Sequence, residues 1–206
     1  MARSKSSKKW LQEHFSDNFV QKAQQEGWRS RASFKLLEIC TKDRLILPNA
    51  KVLDLGAAPG GWSQVAAKLV GKNGLVVASD ILPMQAINGV HFVQGDFTEN
   101  EVYQHLLALS AQNNGFDVVL SDMAPNLSGI KTSDQARAMY LCELAFDLAA
   151  QVLKPGGHFL VKVFQGEGLA SYQQNLRKCF KKVSVRKPEA SRDRSAEQYL
   201  LAQNFY

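Results

Sequence analysis

Apolar residues in the middle of this chain come in short, nearly unbroken runs separated by longer amphipathic stretches. The runs KVLDL (51–55), LVVASD (75–80), VHFVQ (90–94), FDVVLS (116–121) and HFLVKVF (158–164) read as strands buried on both faces. The stretches 62–70, 99–111, 135–153 and 168–179 carry helical spacing, as do 10–25 and 31–42 near the start. Regular strand–helix alternation predicts an α/β fold built on a mostly parallel sheet with helices on both faces. LKPGG at 153–157 reads as a helix stop and a turn feeding the next strand. Two more strand-like runs follow, KVSVRK (182–187) and EQYLLAQ (197–203), joined by the polar link Pro188 to Ala196. That link is too short for a parallel crossover, so the sheet is expected to end in an antiparallel hairpin. No repeat or linker interrupts the pattern. A single domain over residues 1–206 is expected, with 1–9 a flexible basic tail and 10–50 a helical N-terminal segment.

Composition narrows the class. The chain is 45% hydrophobic and 21% charged, as in ordinary globular proteins. It holds no apolar run near the roughly 18 residues of a membrane span. MARSKSSKK at the start lacks an apolar segment after it and does not read as a secretory signal. Cys40, Cys142 and Cys179 lie far apart and fit a reducing cytoplasm. His14, His91, His105 and His158 show no metal-ligand spacing, so no metal site is expected. The net charge of +6 is uneven: +5 over residues 1–50, −3 over 51–164 and +4 over 165–206. Basic ends around a mildly acidic middle fit a polyanion-binding protein as well as a solvated basic face.

The chemistry concentrates in LDLGAAPGGWS, residues 53–63. A buried strand ending in Asp54 runs into a turn holding Gly56, Pro59, Gly60 and Gly61, and then into a helix. Glycines there allow a ligand close to the backbone. The dinucleotide fingerprint is absent, because Ala58 stands where its second glycine belongs. Pro59 also removes a donor that a pyrophosphate cradle would use. The turn fits an adenosyl ligand carrying an amino acid better than one carrying a pyrophosphate.

Six blocks spread over the chain, WLQEHFSDNFV (10–20), RSRASFKLLEI (29–39), LDLGAAPGGWSQ (53–64), SDMAPN (121–126), VKVFQGEG (161–168) and VRKPEASRDRSAEQYL (185–200), together carry a resemblance. The chain resembles the class I S-adenosylmethionine-dependent methyltransferases, and within them the FtsJ (RrmJ) family of ribose 2′-O-methyltransferases. The resemblance implies a Rossmann-like, mostly parallel seven-stranded sheet with a C-terminal antiparallel hairpin. It places contacts to S-adenosyl-L-methionine on Gly60, Trp62, Asp80, Asp96 and Asp122. Asp80 ends the second strand, where a carboxylate can accept from ribose hydroxyls, and Asp96 follows the third, within reach of an adenine amino group. Each aspartate also fits a helix N-cap, and Trp62 also fits the core.

The resemblance further implies a catalytic tetrad of Lys35, Asp122, Lys162 and Glu197. A sugar hydroxyl is a very weak acid and needs a base or a positive charge as its proton leaves. Lys162 in the otherwise apolar HFLVKVF is the expected base or principal activator, with Asp122 steering it. Lys35 is expected to contact ribose or phosphate, and Glu197 to orient a lysine or the ribose. The implied reaction is methylation of a uridine 2′-hydroxyl in large-subunit (23S) ribosomal RNA, within the large ribosomal subunit. S-adenosyl-L-homocysteine would be the product and the enzyme a cytoplasmic monomer. Lys8, Lys9, Arg29, Arg31, Lys35, Arg192 and Arg194 are expected to meet RNA. Asn126 and the loop to Asp134 would border the target nucleotide, and Phe164 or Tyr199 would stack a base or pack the core. A tRNA or mRNA-cap methyltransferase, a non-catalytic assembly factor and an NAD-dependent oxidoreductase are the alternatives. The intact tetrad weighs against the second and the absent fingerprint against the third.

Overall fold

A computed structural model describes residues 18–126, 128–191 and 195–206. Lys8, Lys9, Arg192 and Arg194 lie outside them, as does the first half of the helix expected over 10–25. The described elements are α1 (Asn18–Gln25), α2 (Ala32–Asp43), β1 (Lys51–Leu55), α3 (Gly61–Val70), β2 (Leu75–Asp80), β3 (Val90–Gln94), α4 (Asn100–Gln112), β4 (Phe116–Ser121), α5 (Lys131–Val152), β5 (Leu153–Phe164), α6 (Leu169–Cys179), β6 (Phe180–Arg186) and β7 (Glu197–Phe205). The seven strands form one sheet in the order β3-β2-β1-β4-β5-β7-β6. The first five are parallel, and β7 pairs antiparallel with both β5 and β6.

Side chains alternate between two cores along each central strand, as a doubly covered sheet requires. Val52, Val118, Leu160 and Leu201 face α2 and α3, where Leu36, Ile39, Val65 and Ala66 meet them. Leu53, Val119, Val161 and Leu200 face the other side, against Leu106, Ala145, Leu148 and Leu176 of α4, α5 and α6. Among the described residues no helix is long and apolar enough to cross a membrane.

Three elements start two or more residues away from the pattern's expectation. β5 begins at Leu153 instead of 158, because Leu153 is buried and pairs with Phe116 before the register shifts. The KPGG turn survives as an irregularity inside that strand, with Gly156 at φ +82°. α5 begins at Lys131 instead of 135, without a side-chain cap at Ile130. Asp134 reaches back instead, and its carboxylate accepts from the Ser128 and Gly129 N–H groups. β6 begins at Phe180, whose ring packs 5.2 Å from that of Phe205 in the partner strand.

Candidate active site

The glycine turn lies beyond the carboxyl end of β1, between β2 and α3. Gly60 stands at φ +106°, in the left-handed region that favours glycine, and a Cβ there would come within 2.6 Å of Ile87 Cδ1 and 2.9 Å of Met84 Sδ. Gly56, at φ +72°, lies just as tightly on Met123. Asp80 holds the turn: its Oδ2 accepts from the Ala58 N–H at 2.8 Å, and its Oδ1 accepts from the Leu82 N–H at 2.8 Å. Asp96 follows β3, and its Oδ1 accepts from the Thr98 N–H and hydroxyl. It therefore braces the turn before α4, whose N-cap is Glu99.

Asp54 is fully buried beneath the turn. Its Oδ2 accepts from Ser63 Oγ at 2.6 Å, and its Oδ1 has no partner among the described residues. Burial pushes this carboxyl up to about 7; the Ser63 hydrogen bond opposes that, and the charges of Asp122 and Asp80 add to it. The carboxyl groups of Asp54, Asp80 and Asp122 thus lie near one another at the glycine turn, Asp54 beneath it. The part-exposed acceptors, Asp80 and Asp122, fit a ligand that brings ribose hydroxyls, an amine and a positive centre. Among the described residues no cluster of His, Cys, Asp and Glu is arranged to hold a metal ion.

The four tetrad residues meet beside this turn, brought there by three different devices. Lys162 and Tyr199 are cross-strand partners in the β5–β7 ladder, so both project from one face. Glu197 lies two residues before Tyr199 on the same strand and shares that face. Lys35 comes from α2, nearly buried, and its Nζ donates to Glu197 Oε1 at 2.6 Å. Asp122 follows β4; its Oδ1 lies 3.2 Å from Lys162 Nζ, which also donates to the Asp122 carbonyl.

The Tyr199 hydroxyl joins the two ion pairs. It lies 2.9 Å from Asp122 Oδ1 and 3.4 Å from Glu197 Oε1. Burial pushes its pKa far above the usual tyrosine value, and the Asp122 and Glu197 charges push the same way. For Glu197, burial pushes upward, but the Lys35 ammonium, Lys162 and the Ser191 hydroxyl together outweigh it and hold the carboxyl below its ordinary value.

Several of the expected contact residues also bind within the protein. Arg29 is no free phosphate contact: its guanidinium donates to the carbonyls of Pro59 (3.1 Å), Gln85 (2.7 Å) and Ala86 (2.8 Å). Arg31 donates to the Ala190 carbonyl and lies over the Phe19 ring. Both arginines tie the chain to itself. The Trp62 indole points into the protein, donating to the Ala32 carbonyl at 2.8 Å and packing 5.6 Å from the Tyr199 ring. Tyr199 is fully buried, which removes it as a stacking surface for a base. Phe164 remains half-buried at the end of β5. Sequence reading missed the Tyr199 bridge, although its i, i+2 spacing from Glu197 was visible. It also missed the Arg29 clamp, which has no sequence signal, because such an arginine looks like any basic surface residue.

Residues 28–205 match the profile of the FtsJ-like methyltransferase family. A protein of Marinobacter nauticus named ribosomal RNA large subunit methyltransferase E is 62% identical over 205 residues, covering 100% of this chain and 99% of its own length. A protein of the same name from Pseudomonas aeruginosa is 58% identical, again covering 100% of this chain and 99% of its own. A crystal structure from Plasmodium falciparum, described as a ribosomal RNA methyltransferase, aligns with a TM-score of 0.74 at 29% identity, over 86% of this chain and 98% of that one. The seven-stranded sheet, the glycine turn beside it and these matches agree: the chain belongs to the FtsJ-like methyltransferase family.

Proposed function

We propose that this chain methylates the 2′-hydroxyl of a uridine in large-subunit (23S) ribosomal RNA, within the large ribosomal subunit, using S-adenosyl-L-methionine. The observation that carries the reading is the pairing of Lys162 with Asp122 and of Lys35 with Glu197, next to a glycine turn held by Asp80. When bound, S-adenosyl-L-methionine supplies a methyl group on a positively charged sulfur and departs as S-adenosyl-L-homocysteine.

The chain's own residues do the rest. Gly60 admits the ligand to the backbone, and Asp80 and Asp96 present carboxylate oxygens at the ends of β2 and β3. Trp62 forms the wall behind the turn. Lys162 Nζ meets the 2′-hydroxyl as base or principal activator, either taking the proton or placing positive charge on the oxygen. Asp122 holds that Nζ in place and lies between it and the glycine turn. Lys35, oriented by Glu197, presents a second cation to the ribose or its phosphate. Positioning supplies much of the rate in an in-line displacement of this kind. All four tetrad residues come from one chain, which supports action as a monomer. All three cysteines are free, which supports work in the cytoplasm.

The test is transfer of labelled methyl to large ribosomal subunits lacking the modification, with free ribosomal RNA and tRNA alongside. Expected is incorporation at one alkali-resistant linkage of the subunit RNA, lost in Lys162→Ala while the affinity for S-adenosylhomocysteine holds. Label in tRNA and none in the subunit would overturn the substrate. Near-normal turnover by Lys162→Ala would overturn its role.

A further inference from the structure

A cavity of about 790 Å³ opens beyond the carboxyl ends of β4 and β5, against the first turns of α5 and the segment that follows β5. Its walls include Pro125, Gln135, Met139, Phe164, Gly168 and Ala196. Three of these adjoin the tetrad along the chain: Pro125 after Asp122, Phe164 after Lys162 and Ala196 before Glu197. A nucleotide whose 2′-oxygen meets Lys162 carries its base on the neighbouring ribose carbon. The base must therefore lie within a few ångströms of the tetrad. The turn over β1 to β3 is taken by the methyl donor, which leaves this cavity.

One polar group inside it has a fixed orientation. Gln135 Nε2 donates to the Glu167 carbonyl at 2.9 Å and to the Phe164 carbonyl at 3.4 Å. Two carbonyls decide which end of the amide is nitrogen. Oε1 is then presented as an acceptor, and it accepts from no described residue. Gly166 leaves the room: a Cβ there would lie 2.6 Å from Gln135 Cδ.

We infer that this cavity receives the extruded base of the acceptor nucleotide and that Gln135 Oε1 selects uracil by accepting from its N3–H. The inference rests on the 2′-O-methyltransferase reading above. Cytosine presents a bare N3 at that place, so two acceptors would face each other. The apolar walls and the Phe164 ring give the base a surface to pack on. The cavity exceeds one pyrimidine, which leaves space for part of the next nucleotide. Extrusion of a base for chemistry on its nucleotide is cheapest from single-stranded or loop RNA.

The test compares large subunits carrying uridine or cytidine at the mapped acceptor position. Wild-type protein is expected to favour uridine at least tenfold in kcat/KM. Gln135→Met, similar in length but without the amide, should bring that ratio to within about threefold of one, with S-adenosylhomocysteine affinity unchanged. Phe164→Leu should lower transfer to both substrates and keep the ratio. A ratio unchanged in Gln135→Met, or no preference in the wild type, would overturn the assignment. Should Gln135→Met lose cofactor-product binding, Gln135→Ala reads the same ratio. Wild-type transfer to neither subunit would instead bring down the parent reading.

Discussion

Asp54 is the most heavily buried acid of the site, and its burial sets a pH dependence. Its carboxyl stands at about 7 in the fold against an ordinary 3.8. Between those values the folded state holds a proton that the unfolded state has lost. Its contribution is therefore complete below the ordinary value and disappears as pH rises through about 7. The difference in melting temperature, wild type minus Asp54→Asn, should fall steadily from about pH 4 to about pH 7. A flat difference would mean that Asp54 is ionised in the fold at all those pH values. Tyr199 invites a second single-residue test. Tyr199→Phe keeps the ring against Trp62 and removes only the hydroxyl between the two ion pairs. A net hydrogen bond is worth about 1 kcal/mol, so kcat should fall several-fold with little change in KM. A rise in KM alone would move the hydroxyl's role to substrate binding.

Arg29 sits in the link between α1 and α2, yet its guanidinium spans the glycine turn and the 85–86 loop, so one side chain fastens three segments around the ligand site. Arg29→Met should weaken S-adenosylhomocysteine binding about tenfold, equivalent to about 1.4 kcal/mol in calorimetry. Unchanged binding would show that the turn keeps its shape unaided. The elements themselves were readable to different degrees. β1, β2 and β4 match their apolar runs to the residue, because burial on both faces leaves little choice of where such a strand starts and stops, and β3 matches too, although it is an edge strand with only Val93 buried. β5 and α5 were misjudged at their first residues. There the deciding contacts, Leu153 with Phe116 and Asp134 with the Ser128 loop, are made with residues the local pattern does not see.

Over the whole molecule, charge tells less than its tally implied. The tetrad was legible through the family's spacing, and the structure gathers its four members within hydrogen-bonding distance of one another in two pairs. The RNA surface was less so. Arg29 and Arg31 keep their charge, but carbonyl oxygens already hold guanidinium N–H groups of both, a distinction that only tertiary contacts make. RNA affinity should therefore keep its salt dependence in Arg29→Met. Removing residues 1–9, which carry Arg3, Lys5, Lys8 and Lys9, should lower the slope of log affinity against log salt by about 0.7–0.9 for each phosphate that is no longer neutralised. Equal slopes with and without that segment would place the phosphate-binding cations elsewhere.

β7 lies between β5 and β6, although it follows both in the chain. A ribosome delivers these strands in chain order. β5 and β6 therefore leave synthesis before the strand that joins them to each other exists. The first residue of β7 trails the last of β5 by 33 positions. At about 5–20 residues per second, that is a delay of roughly 2–7 s. During it β5 has an open edge and β6 has no place in the sheet, the condition in which strands pair with the wrong neighbour. Glu197 and Tyr199 arrive in the same late segment, so Lys35 and Asp122 stay without these partners until the sheet closes. On a growing chain, completion of the fold and completion of the proposed catalytic apparatus are a single event.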